Sequence, residues 1–234
     1  MTYLRLCLVG ALLATSGCGL IDSSVTNIDL TLKDKTFSVD ASGWNVTQTQ
    51  ADTYLNMSCS SDSICTSAAT LACPMNCSGR CGSGSKCELK LAVNVYKSID
   101  LLSEQPELKT INDKPVIEVT IDSVTYAVTA NTLNVPTPEL GVYVAPINVM
   151  DPLNSLAKKI GTVQAVPAGA TVATRDMTYT SGGKEALVDF MSTYKTPFNI
   201  IVGTGDMPIV LTAGNMVPMG KLDAVIQIKA HAGI

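Results

Sequence analysis

Histidine, aromatic side chains and clustered basic residues are scarce in this chain of 234 residues. The single histidine, His231, lies near the end of the chain, so a catalytic triad that relays a proton through histidine has one weak candidate. No G-x-S-x-G elbow and no complete phosphate loop occur, and the carboxylates are scattered among turns and polar faces. The sequence therefore predicts a protein that is not an enzyme and that holds neither a cofactor nor a metal ion.

The charge balance of the chain is weakly acidic, with 16 lysines and arginines against 20 acidic residues and a net charge of −4. Nucleic-acid binding depends on clustered cations that neutralise phosphates, and the chain has no basic run, so no nucleic-acid partner is predicted. The same shortage of cations predicts that any attachment to a membrane comes from lipid rather than from electrostatic attraction.

Long apolar runs are missing after residue 20, and one short run stands before it. The run 6–14 follows Arg5 and precedes small residues, and it is shorter than the roughly 20 apolar residues that cross a bilayer. A positive residue, a short apolar run and a small-residue region in this order are typical of an export signal that is removed.

The small pair Ser16-Gly17 directly before Cys18 resembles the lipobox of bacterial lipoproteins. The resemblance implies a signal peptide of residues 1–17, acylation of Cys18 with palmitate-type chains, and a mature protein that is anchored by lipid. Gly19 stands where an aspartate would favour the inner membrane, so the resemblance implies the outer membrane, facing either the periplasm or the cell surface. The alternatives are ordinary secretion, with cleavage near Gly17 or Gly19, and an uncleaved hydrophobic start.

Cysteine is concentrated in one segment, residues 59–87. Apart from Cys7 in the signal and Cys18, six cysteines remain, namely Cys59, Cys65, Cys73, Cys77, Cys81 and Cys87. An even number in an exported chain predicts three disulfides, whose pairing the sequence leaves open. A zinc or iron–sulfur site is the alternative, but no histidine is near and the close C-x₂-C pairs are missing. Because the segment is rich in glycine and serine, we expect disulfides rather than burial to hold it.

Alternating apolar residues predict strands along most of the remaining chain. The clearest run places four of them on one face, Leu89, Leu91, Val93 and Val95. In the stretch 115–129 the alternation changes phase at Asp122-Ser123, which predicts either a hairpin turn or a bulge.

Two helices are expected among the later strands. Asp151-Pro152 has the features of a helix start, and apolar residues continue at helical spacing to Ile160. A second helix is expected from near Ser181 to before Pro197. The whole predicts a mainly β protein, an antiparallel β-sandwich with two or three short helices and a disulfide-stapled Cys-rich insertion. Its expected parts are the signal peptide 1–17, a tether with the first strands 18–58, the insertion 59–87 and the sandwich domain 88–234.

The stretch 163–228 runs as a strand, "VPAG", a strand, the helix "KEALVDFM", "TPFNIIV", a strand, a glycine-rich turn and a closing strand. This order resembles the LEA14-type sandwich, a fibronectin-like domain that is also found in bacterial lipoproteins. The resemblance implies a structural, protective or binding role, and it brings no catalytic residues.

These features together predict an outer-membrane-anchored lipoprotein that acts as a structural or protein-binding module of the bacterial cell envelope. Its expected partners are the membrane, through the N-terminal lipid, and an envelope or surface protein. The Cys-rich insertion is the expected contact surface, with Ile64 or Met75 as apolar anchors, because stapled loops lose little freedom on binding. The alternative is a carrier of a lipid or other apolar ligand, since 46% of the residues are hydrophobic and only 5% are aromatic.

Overall fold

The structure is a computed structural model, and it describes residues 28–111 and 117–233. The expected signal peptide and Cys18 lie outside the described residues. The strands are β1 (Ile28–Asp29), β2 (Lys35–Asp40), β3 (Cys77–Cys81), β4 (Cys87–Leu91), β5 (Asn94–Ile99), β6 (Glu118–Asn131), β7 (Leu140–Pro146), β8 (Lys158–Val163), β9 (Val172–Asp176), β10 (Thr178–Tyr179), β11 (Phe198–Gly203), β12 (Ile209–Leu211) and β13 (Lys221–Gly233). The helices are α1 (Gln48–Leu55), α2 (Asp62–Ala72), α3 (Leu101–Glu104) and α4 (Gly183–Ser192), with 3-10 helices at Ala41–Trp44 and Pro106–Ile111. The predicted class, mainly β with antiparallel sheets, is confirmed.

The first sheet, named sheet I, is built around β13. β6 pairs with β13 along almost its whole length, β9 lies beyond β6, and β1 and β2 follow one another along the opposite edge of β13. The alternation of apolar residues predicted the last strand, β13, and the residues on its apolar face, Leu222, Ile226 and Ile228, are buried in the core.

The phase change at Asp122-Ser123 is a bulge inside β6 rather than a hairpin turn. Lys229 of β13 lies opposite Ser123, the next residue of β13 lies opposite Ile121, and Asp122 is therefore the extra residue. The bulge allows Ile121 and Val124 both to face the core although an odd number of positions separates them.

The second sheet, named sheet II, has the strand order β10-β8-β7-β11-β5. β11 is buried on both faces: Ile200 and Val202 join the core shared with sheet I, whereas Asn199 and Ile201 face the side that residues 147–157 cover. One edge of the sandwich is closed by the stretch 172–179, because only the buried Met177 separates β9 in sheet I from β10 in sheet II.

A third sheet, named sheet III, has the order β12-β4-β3, and its strands β3 and β4 carry Cys77, Cys81 and Cys87 of the Cys-rich segment. The sequence predicted one strand through Leu89–Val95, but the structure divides this stretch between β4 in sheet III and β5 in sheet II. The chain after β11 divides in the same way, since β11 belongs to sheet II and β12 to sheet III. The chain thus crosses between sheets II and III twice, and a third connection runs from β2 of sheet I through the 3-10 helix Ala41–Trp44 to α1.

The predicted helix from Asp151 to Ile160 is wrong, because this segment forms a series of turns that leads into β8. Asp151 Oδ1 accepts a hydrogen bond from the amide of Leu153 at 2.9 Å, and Asn154 Oδ1 accepts one from the amide of Leu156 at 2.9 Å. Such local bonds between side chain and backbone stabilise turns in competition with a helix.

The helix expected near Ser181 is confirmed as α4, which buries Leu187 and Met191 completely. The structure adds α1 and α2, which the hydrophobic spacing did not predict. α1 begins at a capping box in which Thr47 Oγ1 accepts from the Gln50 amide at 3.3 Å and Gln50 Oε1 accepts from the Thr47 amide at 3.0 Å. The T-x-x-Q spacing is the signal that would have located this helix within a polar stretch.

Candidate functional site

The six cysteines of residues 59–87 form three disulfides, which confirms that part of the prediction. The pairs are Cys59–Cys81, Cys65–Cys87 and Cys73–Cys77, with Cα–Cα separations of 5.7, 5.4 and 5.9 Å. The first two connect the start of α2 to the loop end of the β3–β4 hairpin, where Cys81 and Cys87 lie opposite each other. The third connects the end of α2 to the start of β3. Residues 48–91, which comprise α1, α2, β3 and β4, are named the stapled unit.

Two disulfides of the stapled unit lie side by side. The sulfur atoms of Cys59, Cys65 and Cys87 are all within 4.8 Å of one another, and the three residues are buried. Three gathered thiolates would suit a zinc ion, but each of these sulfur atoms is already bonded to another sulfur. The two disulfides therefore fix the start of α2 to the β3–β4 hairpin.

Tyr54 of α1 holds both helices against the β3–β4 hairpin. Its hydroxyl lies 3.1 Å from the carbonyl oxygen of Cys65 in α2 and 3.2 Å from that of Glu88 in β4, and it donates its proton to this pair of acceptors. Gly79 of β3 makes the approach possible, because a Cβ atom there would collide with the Tyr54 hydroxyl and the Cys65 carbonyl. Burial raises the pKa of Tyr54 to about 12, so the hydroxyl stays a neutral donor near neutral pH.

An apolar groove with a volume of about 330 Å³ runs between α1 and α2. Its lining consists of Thr49, Gln50, Thr53, Tyr54, Met57, Ala68, Leu71 and Ala72. Leu71 stands at the groove with 82% of its surface exposed, and Ile64 and Met75, the two anchors expected from the sequence, are exposed on the same unit. Exposed apolar side chains beside an apolar groove are typical of surfaces that bind a partner. The groove is therefore the candidate functional site.

A larger cleft, of about 640 Å³, lies between residues 40–48 and 217–221. Asp40 lines it and caps the 3-10 helix Ala41–Trp44, accepting hydrogen bonds from the Ser42 hydroxyl at 2.7 Å and the Ser42 amide at 2.9 Å. These bonds lower the pKa of Asp40, because they stabilise its ionised form. The Asp40 carboxylate therefore serves as the cap of this 3-10 helix.

His231 lies on β13, beside the bulge of β6. Its Nδ1 atom is 3.1 Å from the carboxylate of Asp122, and both side chains are well exposed. The pair links the bulge residue to the neighbouring strand at the surface of sheet I.

No protein-family model, no curated protein and no solved structure matches this chain. The lipobox and LEA14-type resemblances stay predictions from the sequence. The strand expected to begin at 163 is wrong, because β8 ends at Val163, whereas the later elements of 163–228 follow the expected order. These elements are shared among sheets I, II and III and are completed by β6 and β7. None of the helices within the described ranges is both long enough and apolar enough to span a membrane.

Proposed function

We propose that this protein is a lipid-anchored lipoprotein of the bacterial outer membrane that acts as a binding module of the cell envelope. Two features support the location: the sequence around Cys18, and the three disulfides, which are typical of an oxidising compartment outside the cytoplasm. The described fold begins at Ile28. A connection of about ten residues from Cys18 spans at most roughly 35 Å, so the fold would work close to the membrane.

The groove between α1 and α2 is the observation that supports a binding role. Its walls are held by the Tyr54 hydrogen bonds and by disulfides at both ends of α2, so a partner would meet a surface that needs little ordering. A groove between two helices is suited to the apolar face of a third helix.

The charges carried by the helices α1 and α2, none of which lines the groove, indicate which kind of helix would bind. Residues 41–79 contain two carboxylates, Asp52 and Asp62, and no lysine or arginine. A partner with basic residues beside its apolar stripe would complement this surface. The proposed occupant is therefore a basic amphipathic helix of another envelope protein.

The anchor is tested by the mass of the N-terminal peptide of the protein purified from membranes of a Gram-negative host. A diacylglycerol thioether on Cys18 is the expected result. An unmodified terminus near Gly17 or Gly19 would make the protein a secreted one and would overturn the anchored location, while leaving the binding role of the groove open to its own test.

The binding role is tested by placing a photo-reactive phenylalanine analogue at Leu71 in the full chain, expressed in its native envelope. The control position is Met216, an exposed apolar residue that lies outside the stapled unit. We expect a discrete protein adduct from Leu71, absent from Met216 and lost when Ala68→Glu places a charge in the groove. Failure to form an adduct at Leu71 would overturn the proposal, and a lipid adduct would favour the carrier function instead.

A further inference from the structure

The connection between β7 and β8, residues 147–157 ("INVMDPLNSLA"), exposes an unusual number of large apolar side chains. Four of them face solvent, Ile147, Met150, Leu153 and Leu156. Val149 and Pro152 are buried between them, and Val149 packs with Ala145 and Ile201 on the outer face of sheet II. We name residues 147–157 the apolar loop.

The exposure of these side chains does not come from a loosely held backbone. Asn199 of β11, fully buried, donates from Nδ2 to the carbonyl oxygen of Ile147 at 2.9 Å and to that of Val149 at 2.8 Å. Further along, the side chains of Asp151 and Asn154 each accept from a backbone amide two residues later. The loop is thus fastened to sheet II while its four apolar side chains point away from it.

Two cations follow the loop directly. Lys158 and Lys159 begin β8; Lys159 lies opposite Tyr143, on the outer face of sheet II that carries the loop, whereas Lys158 lies opposite the core residue Val144, on the inner face. Residues 147–159 contain these two lysines and a single acid, Asp151, so the segment is positive in a chain whose net charge is −4.

We propose that the apolar loop is a membrane-contact site that lies on a bilayer containing anionic phospholipids. Leu153 and Leu156 insert among the headgroups, and Lys159, on the same outer face of sheet II, meets lipid phosphates, a combination that binds membrane interfaces through apolar burial and charge together. The composition of the whole chain does not reveal this site, because attraction to a membrane depends on the local charge. The contact goes beyond the tether at Cys18 and uses a different surface from the groove.

The test uses tryptophan fluorescence in the full chain as purified from its host and bound to vesicles of phosphatidylglycerol and brominated phosphatidylcholine. The one native tryptophan, Trp44, is 3% exposed and donates to the carbonyl oxygen of Ala92 at 2.8 Å, so it is shielded from lipid. Leu153→Trp reports on the loop. Met219→Trp is the matched control, since Met219 is 57% exposed and Leu153 is 61% exposed.

We expect the brominated lipid to remove about half of the added emission of Leu153→Trp, because interfacial side chains reach roughly 5–10 Å into the bilayer, and little of that of Met219→Trp. The quenching should fall when Lys159 is changed to Gln, and it should change little when Lys158, on the inner face of sheet II, is changed to Gln. Equal quenching at positions 153 and 219, or none at either, would overturn the proposal. The result is separate from the mass of the N-terminal peptide, so failure of the tether and failure of the loop contact are distinguishable.

Discussion

The amide of Val93 donates a hydrogen bond to Thr204 Oγ1 at 3.1 Å, and the amide of Thr204 donates one to the carbonyl oxygen of Val93 at 3.0 Å. This reciprocal pair stands where the chain passes from β4 to β5 and where it leaves β11 toward β12. Both chains change sheets at one point, so a two-stranded ribbon connects sheets II and III, and residues 41–47 join the stapled unit to sheet I as well. Thr204 is buried, and its hydroxyl takes the place of a backbone acceptor at the corner.

Thr204→Val is expected to loosen this corner, because it keeps the side-chain volume but removes the acceptor of the Val93 amide. A buried donor without a partner costs about 1–3 kcal/mol of the free energy of unfolding. Hydrogen exchange at the Val93 amide should accelerate in Thr204→Val and stay slow in Thr204→Ser, which retains the hydroxyl. Equal exchange in the two variants would contradict the role given to the hydroxyl.

The disulfides are expected to differ in their contribution to stability. Cys65–Cys87 closes a sequence separation of 22 and both residues are fully buried, whereas Cys73–Cys77 closes a separation of 4. Removing both cysteines of a pair as alanines should cost about 3 kcal/mol for the former and about 2 kcal/mol for the latter, since a longer loop constrains the unfolded chain more. Urea unfolding without reductant measures both, and the reverse order would contradict the argument.

Tyr54 is expected to make the fold sensitive to alkaline pH. Its pKa is raised to about 12 in the folded protein, above the value near 10 of an exposed tyrosine, so the unfolded chain loses this proton first as pH rises. The contribution of Tyr54 to stability is therefore fully present below pH 10 and is lost progressively between about pH 10 and 12.

Comparison of Tyr54→Phe with the unchanged protein at pH 8 and pH 11 isolates this effect from other groups that ionise. Tyr54→Phe should be less stable at pH 8, because the carbonyl oxygens of Cys65 and Glu88 lose their shared donor, at a cost of about 1–2 kcal/mol. The difference between the two proteins should shrink at pH 11. An unchanged difference would show that the hydroxyl ionises normally in the folded state.

Asn199→Ala is expected to release the first part of the apolar loop from sheet II. The variant removes both hydrogen bonds to the carbonyl oxygens of Ile147 and Val149, with an expected loss of about 2–3 kcal/mol. The amide of Val149 should then exchange faster. Asn148→Ala, at an exposed position of the same loop, is the control and should change stability by less than about 0.5 kcal/mol.

Features that depend on neighbouring residues were predicted well from the sequence. The alternation of apolar residues located β6 and β13, because successive side chains of a strand face opposite sides wherever that strand is placed. The phase change at Asp122-Ser123 was also visible, although the sequence left two interpretations open. Helix α4 was found from the spacing that buries Leu187 and Met191.

Two features were missed, one because its local signal is ambiguous and one because its partner is distant in the chain. The turns at Asp151 and Asn154 use the same residue types that cap helices, so the sequence predicted a helix where side-chain bonds stabilise turns. The corner at Val93 leaves the alternation of Leu89–Val95 undisturbed, because the partner that marks it, Thr204, lies far along the chain.

The sequence by itself determined that the chain is mainly β and that its six clustered cysteines form disulfides, because alternation and composition are local properties. Only the tertiary structure decided which cysteines pair, because pairing depends on how α2 lies across the β3–β4 hairpin. It alone also placed the groove between α1 and α2 and turned the apolar side chains of residues 147–157 outward. Exposure and proximity are set by packing between segments that are distant in the chain, and no local pattern records them.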